Sequence, residues 1–294
     1  MAGKVVLITG ASRGIGAAVA RRLASEGATL ALVGLEPDEL KKVAEDCGHD
    51  AGWWEADVTD TDSLRTAVEA IAERYGRIDV VVANAGIAAP GFSRSMDPAA
   101  WERVLDVDLY GVWRTVHLTL PHLLASKGYL LLVSSLAAIV HLPGLASYNV
   151  SKAGVEAMGN SLRAELRHLG VDVGVAHMTF VDTDMVRGFD EHPVFGKVRT
   201  GIPLFSKTYP LEFAVDKFTQ GIKKRSRVIH VPGWIGALKI FRAVIPHVIE
   251  FGARFNVPKA DRAALADVEA RGAAASSRAA GAGGKADQEK ATNR

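Results

Sequence analysis

The chain has 294 residues, is 48% hydrophobic and 23% charged, and carries a formal net charge of +2. That length and composition suit one large domain, or one domain with an appendage, and the scattered Lys and Arg residues exclude the basic face of a nucleic-acid binder. The single cysteine, Cys47, excludes an internal disulfide framework and is expected to be an inert helix residue in a reducing compartment.

In chain order, β-rich runs fall at Val5–Thr9, Leu30–Val33, Gly52–Ala56, Asp79–Ala83, Tyr129–Val133, Val171–Ala176 and Val228–Val231. Amphipathic helical patterns lie between them, at Ala17–Glu26, Pro37–Asp46, Thr61–Tyr75, Pro98–Ser126 and Tyr148–Leu169. Strands separated by helices imply right-handed crossovers, hence an α/β fold with a doubly wound, mainly seven-stranded parallel sheet covered on both faces. Val5–Ile8 is too short for a secretory leader, and no run approaches the roughly 18 apolar residues of a spanning helix, so a cytoplasmic protein is expected.

The alternation breaks twice. Residues 179–208 carry Gly188, Pro193, Gly196, Gly201 and Pro203 with Phe189, Phe195 and Phe205, the composition of a lid after a strand. Beyond residue 232, Trp234–Phe255 is apolar with basic interruptions, and Pro246 is expected to kink or interrupt it. Residues 258–294 are rich in Ala and Gly and are expected to be largely disordered after a short helix near Asp261–Arg271. The expected division is therefore a dinucleotide-binding catalytic domain at 1–232, a helical extension at 233–257 and a tail.

Gly10, Gly14 and Gly16 follow the first strand and open the first helix. Glycines there permit a tight turn and close approach of a pyrophosphate to a helix N-terminus. The spacing is GxxxGxG rather than GxGxxG, and as a bare motif it also fits an ordinary turn. Asn84-Ala85-Gly86 ends the fourth strand at the edge of the sheet where ligands collect. Asp57-Val58 ends the third; Asp57 is placed either to accept from an adenine amino group or to cap the next helix.

Tyr148 lies thirteen residues after Ser135 and four before Lys152. Positions i and i+4 share one helix face, so the ammonium sits beside the phenol and favours its ionised form. A tyrosine so placed exchanges a proton with a substrate oxygen, and with the glycine loop it describes a hydride-transfer enzyme.

Thr9-Gly-x-x-x-Gly-x-Gly16, Asp57, Asn84-Ala-Gly86, Ser135 and Tyr148-x-x-x-Lys152, in this order, resemble the short-chain dehydrogenase/reductase family over about residues 3–232. The resemblance implies a Rossmann-type fold and NAD or NADP as cofactor. It makes Tyr148 the general acid/base, Ser135 the donor to the substrate oxygen, and Lys152 the group that tunes Tyr148 and grips the nicotinamide ribose. It assigns cofactor contacts to Gly10, Ser12, Arg13, Gly14, Ile15, Gly16, Glu36, Asp57, Val58, Asn84, Ala85, Gly86, Val181 and Thr183. It also places the long helices Trp101–Ser126 and Tyr148–Leu169 on a dimer face, in a homodimer or homotetramer. No metal is implied.

Two positions depart from the family pattern. Asp108 stands where the family usually has an asparagine that holds a relay water, and its charge is expected to retune Tyr148 through Lys152. Met178-Thr179 replaces the usual Pro-Gly before the nicotinamide loop, altering how the lid begins. At the end of the second strand, Gly34 and Leu35 match neither the acidic NAD signature nor the basic NADP one. Arg13 favours a 2′-phosphate and Glu36 opposes it, with a slight lean to NAD.

The lid phenylalanines, with His141, Leu142, Leu145 and Met185, suggest a pocket for an apolar secondary alcohol or ketone, lipid-like or steroid-like. Arg187 and Arg199 also lie in the lid, and packing of the lid itself is the competing role for its aromatics. The Trp234–Phe255 segment would pack on its own domain or a partner, cover the site, or lie on a membrane surface. Two other functions stay open: a nucleotide sensor or scaffold without turnover, motivated by Asp108 and Met178-Thr179, and a membrane-associated lipid-modifying dehydrogenase.

Overall fold

The computed structural model describes residues 1–48, 50–196 and 207–292. Seven strands form one parallel sheet: β1 Val5–Thr9, β2 Thr29–Gly34, β3 Gly52–Glu55, β4 Val80–Ala83, β5 Tyr129–Val133, β6 Asp172–Met178 and β7 Val228–Val231. Their spatial order is β3-β2-β1-β4-β5-β6-β7, so the winding reverses between β1 and β4. Connections leave β1 and β4 in opposite directions there, and their carboxyl ends open a crevice for a ligand.

Helices α1 Gly14–Ser25 and α2 Pro37–Cys47 cover one face together with α8 Leu211–Lys223. Leu23, Leu40, Val215 and Phe218 pack there against Val6, Ile8, Leu30 and Leu131. The other face carries α3 Thr61–Tyr75, α5 Gly111–Ser126 and α6 Ala146–Leu166, whose Leu64, Ile71, Val116, Val155 and Leu162 meet Leu7, Val81, Leu130 and Leu132. Strands with side chains buried on both faces need no polar alternation, which is why these runs read as continuous apolar segments.

The Pro98–Ser126 pattern is not one regular helix. α4 Pro98–Leu105 and α5 are joined without a break by a π-turn over Asp106–Tyr110. The wider turn inserts one extra residue into the helix, the usual signature of a site under functional demand. The lid contains α7 Asp184–Asp190; Arg199, Gly201, Pro203 and Phe205 lie outside the described residues.

The end of the chain differs most from expectation. The Trp234–Phe255 segment is interrupted before Pro246, as expected: the short α9 Ile235–Ile240 ends, and Pro246 sits in the first turn of α10 Ile245–Arg271, where its missing N–H is not needed. Pro258 lies inside α10. Ile245 and Ile249 pack inward against Leu136, Ile139 and Val140, while Val244, Val248, Phe251 and Phe255 form an outward stripe.

Low hydrophobicity predicts disorder in the tail, yet α11 Ala273–Ser276 and α12 Gly281–Thr292 are helical. Ala260, Ala264, Ala280 and Asp287 are buried. Small residues allow close packing, and Asp287 is anchored by charge-assisted bonds from Arg103. Among the described residues no helix is long and apolar enough to cross a membrane. Cys47 is half-buried, and burial pushes its thiol up to about 11, in keeping with an inert role.

Candidate active site

The crevice begins where β1 and β4 are stitched together. The Thr9 hydroxyl accepts from the backbone N–H groups of Asn84 (3.1 Å) and Ala85 (3.2 Å). The Asn84 amide donates to the carbonyls of Thr9 and Gly10, both at 3.0 Å. Asn84 therefore braces the glycine loop, and Ala85 and Gly86 form part of the crevice wall. Gly10 adopts φ +64°, and a Cβ there would lie 2.7 Å from Ala85 Cα; on Gly16 it would meet the Gly10 carbonyl oxygen at 2.3 Å. Both glycines are thus required for close approach, the demand expected of a loop that cradles a phosphate.

Ser12, Arg13, Gly14 and Ile15 continue the lining. Thr183 caps α7 by accepting from Val186 N–H (3.4 Å), and donates to the Val181 carbonyl (3.2 Å). Its methyl would lie 3.6 Å from a Cβ on Gly14, so Thr183 and Val181 face the loop across the crevice. At the far end, Arg13 donates to Glu36 (Nε, 2.9 Å, and a second, shorter contact) and to Asp184 (3.0 Å). Bonding to Glu36, aided by Asp184 and opposed by burial, holds the guanidinium firmly charged. Arg13 and Glu36 therefore face each other. A side chain on Gly34 would begin 2.7 Å from the Ser12 hydroxyl, so the carboxylate at this end comes from Glu36.

Asp57 and Val58 lie beside this end, but Asp57 does not cap α3. Asp60 does, accepting from Asp62 and Ser63 N–H at 3.1 and 3.0 Å. Asp57 instead closes a local turn through Thr59 N–H and hydroxyl, both at 2.8 Å, and accepts from Arg103 at 3.3 Å. Arg103 also donates to Asp287 of α12, at 2.6 Å from Nη2 and 3.0 Å from Nε. Burial works against the Arg103 charge, but Asp287 and Asp57 outweigh it.

At the other end, Ser135 follows β5 and caps a 3₁₀ turn, accepting from Ala137 N–H (3.2 Å) and donating to the Met178 carbonyl (3.4 Å). Neighbouring Ser134 donates to the Lys152 carbonyl (2.8 Å) and ties α6 to the sheet. Lys152 Nζ lies over the Tyr148 ring, 5.4 Å from its centre, and 3.0 Å from Asp108 Oδ2. The other Asp108 oxygen accepts from Ile87 N–H at 2.7 Å. The π-turn brings Asp108 here, fully buried, and Gly86 leaves the space: a Cβ there would stand 3.2 Å from both Asp108 Oδ2 and Lys152 Nζ. Thr179 N–H bonds to the Val231 carbonyl (3.0 Å), so the chain stays paired to β7 where the family pattern has Pro-Gly.

The electrostatics correct one expectation. Burial raises the Tyr148 phenol; Lys152 pulls it back, Asp108 pushes it up again, and the net direction is upward. Burial likewise raises the Asp108 carboxyl against the pull of Lys152. For Lys152, burial opposes the charge, but Asp108 and Tyr148 hold the ammonium above its ordinary value. The lysine therefore acts on the phenol in the expected sense but is outweighed. A neutral phenol beside a charged ammonium is poised to give a proton to an oxygen placed between Tyr148 and Ser135.

The crevice encloses about 280 Å³ and runs on past Tyr148 into an apolar region lined by Leu136, Val140, Leu142, Leu145, Met185 and Phe189. Phe180 adds to it and carried no recognisable signal in the sequence. His141 is exposed, Phe195 packs against Phe92 at 5.3 Å between ring centres, and Arg187 pairs outward with Asp182 and Asp184. Arg103 and Asp287 were equally invisible, since their pairing spans 184 residues. Among the described residues no group of His, Cys, Asp and Glu is arranged to hold a metal ion.

Comparison with known proteins places this geometry. Residues 4–193 match the family model of short chain dehydrogenases. The chain is 38% identical over 189 residues to cis-4-hydroxycyclohexanecarboxylate dehydrogenase of Sinomonas cyclohexanicum, covering 63% of this chain and 76% of that protein. It is 36% identical over 211 residues to (-)-trans-carveol dehydrogenase of Rhodococcus erythropolis, covering 66% and 76%. Among solved structures, 3-ketoacyl-(acyl-carrier-protein) reductase from Brucella melitensis, complexed with NADH, superposes with a TM-score of 0.71 at 26% identity, over 78% of this chain and 97% of that one. The chain belongs to the short chain dehydrogenase family.

Proposed function

We propose that this protein is an NAD(P)-dependent oxidoreductase interconverting a hydrophobic secondary alcohol and its ketone, with Tyr148 as general acid/base. The observation that carries the reading is the Asp108–Lys152–Tyr148 group set at the junction of the glycine-loop crevice and an apolar pocket. The residues present suit a dinucleotide: Gly10 and Gly16 keep the loop open, and Val181, Thr183, Lys152 and Ser135 flank the same crevice. A bound nicotinamide supplies or accepts the hydride. Ser135 holds the substrate oxygen, Tyr148 gives it a proton in reduction or takes one in oxidation, and Lys152 stabilises the phenolate formed. The raised phenol favours reduction near neutral pH and oxidation at higher pH.

Glu36 holds the Arg13 guanidinium, and Asp184 is shared between Arg13 and Arg187, so the cation that would meet a 2′-phosphate is already taken and a carboxylate stands beside it. NAD(H) is the preferred cofactor in this reading. Cyclic alcohols are the substrates of choice, in line with the names of two relatives and with the apolar side chains that line the pocket. A cytoplasmic homodimer is the working assembly, supported by exposed Tyr110, Trp113 and Val150 on the π-turn, α5 and α6.

The test is turnover of a panel of cyclic alcohols and ketones by the wild type and Tyr148→Phe, with NADH and NADPH titrated into both. Turnover should fall by a factor of about 10² or more in the variant. NADH binding should remain nearly unchanged and be tighter than NADPH. Undiminished turnover by Tyr148→Phe would sink the mechanism.

A further inference from the structure

The tail reaches one side of the crevice after another. Past Arg271 the chain turns at Gly272 and enters α11, where the Ser276 carbonyl meets His192 Nε2 at 3.1 Å. The Ser277 hydroxyl accepts from Asp97 N–H at 3.0 Å, and Ala280 N–H donates to the Ala88 carbonyl at 2.8 Å, just past Asn84-Ala-Gly86. Gly281 then crosses α7 backbone against backbone. A Cβ on Gly188 would lie 2.3 Å from Gly281 N, and one on Gly281 would lie 2.5 Å from the Asp184 carbonyl oxygen. α12 runs on over the far end, where Gly283 would present a Cβ 3.6 Å from Arg13 Cδ. Asp287, 2% exposed, binds Arg103 beside Asp57, and Lys290 pairs with Glu55 at the end of β3.

Gly283, Gly284, Ala286 and Asp287 line the same crevice as Glu36, Asp57 and Val58. The anchors therefore run from the loop after β4, over the lid helix, to the end of β3, along the length a dinucleotide occupies in the reading above. We propose that Ser276–Lys290 is a latch over the cofactor crevice, locked at the Arg103–Asp287 pair, that must lift for the dinucleotide to enter or leave. The lock suits the task. Asp287 and Asp57 share one guanidinium, so the pair that holds the latch closed stands directly beside the carboxylate that an arriving adenine amino group would engage. The small residues at the crossing let α12 seat flush on α7 without a cavity, while giving it little apolar area to resist lifting.

The proposal rests on the crevice being a dinucleotide site, and the experiment separates the two. Stopped-flow fluorescence would follow NADH binding and release by the full chain, by Asp287→Ala, and by a chain ending at Arg271. Limited trypsin digestion at Arg278 and Lys285, both exposed, would report whether the tail is docked. Loss of the charge-assisted Arg103 bonds should raise association and release rates about tenfold in Asp287→Ala, and more in the shortened chain. It should also speed cleavage within the tail. NADH rates that match in all three forms would overturn the latch and leave the cofactor reading standing. Failure of every form to bind NADH would overturn both. Binding by the shortened chain alone would support the latch in its strongest form. Should the shortened chain not fold, Asp287→Ala against the full chain decides the matter.

Discussion

Lys152 and Glu156 are one turn apart on α6 and equally buried, at 3% and 2% exposure, yet their surroundings are opposite. Lys152 has one carboxylate, Asp108, at 3.0 Å, one carbonyl at 3.4 Å and a phenol face. Glu156 is enclosed by Lys239 (2.6 Å), Arg242 (2.6 Å) and His177 (3.5 Å). Burial alone would raise the Glu156 carboxyl, but His177 and Lys239 hold it far below the usual range. The first charge is left with spare capacity beside an open crevice; the second is fully spent on other side chains. What distinguishes a reactive buried charge from a structural one here is how completely its neighbours satisfy it. The Glu156 cluster pins the α9 segment to the core domain, because Lys239 lies in α9 and Arg242 just after it.

Three substitutions probe that contrast. Lys152→Met should lower kcat by about 10²–10³, since Tyr148 loses the cation that stabilises its phenolate, with unfolding temperature as the control. A rate within threefold of wild type would erase the distinction between the two charges.

Glu156→Gln should cost about 2–3 kcal/mol of stability in denaturant titration and leave kcat close to wild type. Its sign with pH is fixed. A carboxyl whose folded pKa is depressed contributes above its unfolded value, near 4.5, and loses that contribution as pH falls below it. The gap between wild type and Glu156→Gln should therefore narrow in acid. His230 acts in the same direction. Burial, with His177 and Lys239, pushes it down to about 4, so stability falls as pH drops from its ordinary value toward 4 in both proteins.

Asp108→Asn should produce the smallest change. It removes the negative charge that pushes the phenol up, so the rising limb of oxidation against pH should move to lower pH. A limb that stays put, or moves upward, would mean that Asp108 acts on Lys152 alone.

Much of the sheet was legible because double-sided burial leaves unbroken apolar runs, and the glycine loop because close backbone approach admits nothing else. Tyr148 and Lys152 were legible because helical spacing is local. Phe195 shows the limit: an aromatic in a lid reads the same whether it lines a pocket or, as here, packs on Phe92. Asp57 and Asp60 are three residues apart and chemically equivalent as caps, and only the chain path decides that Asp60 serves α3. Arg103 and Asp287 were hidden because each sits in a segment whose composition suggests a solvated charge. Their bond exists only once α12 has crossed the lid. The tail was misjudged for the same reason, its order coming from pairing and close backbone packing rather than from apolar content.

The π-turn at Asp106–Tyr110 also bears on how this chain tolerates changes of length. A π-turn takes up one extra residue within a single wider turn, so deleting one residue there would let the helix close to regular winding with α4 and α5 held nearly in place. The residues of the turn itself would face elsewhere, and Asp108 would leave the line to Lys152. Substitutions can be absorbed one side chain at a time, but a single-residue gap in this turn would cost the buried carboxylate its place beside the ammonium.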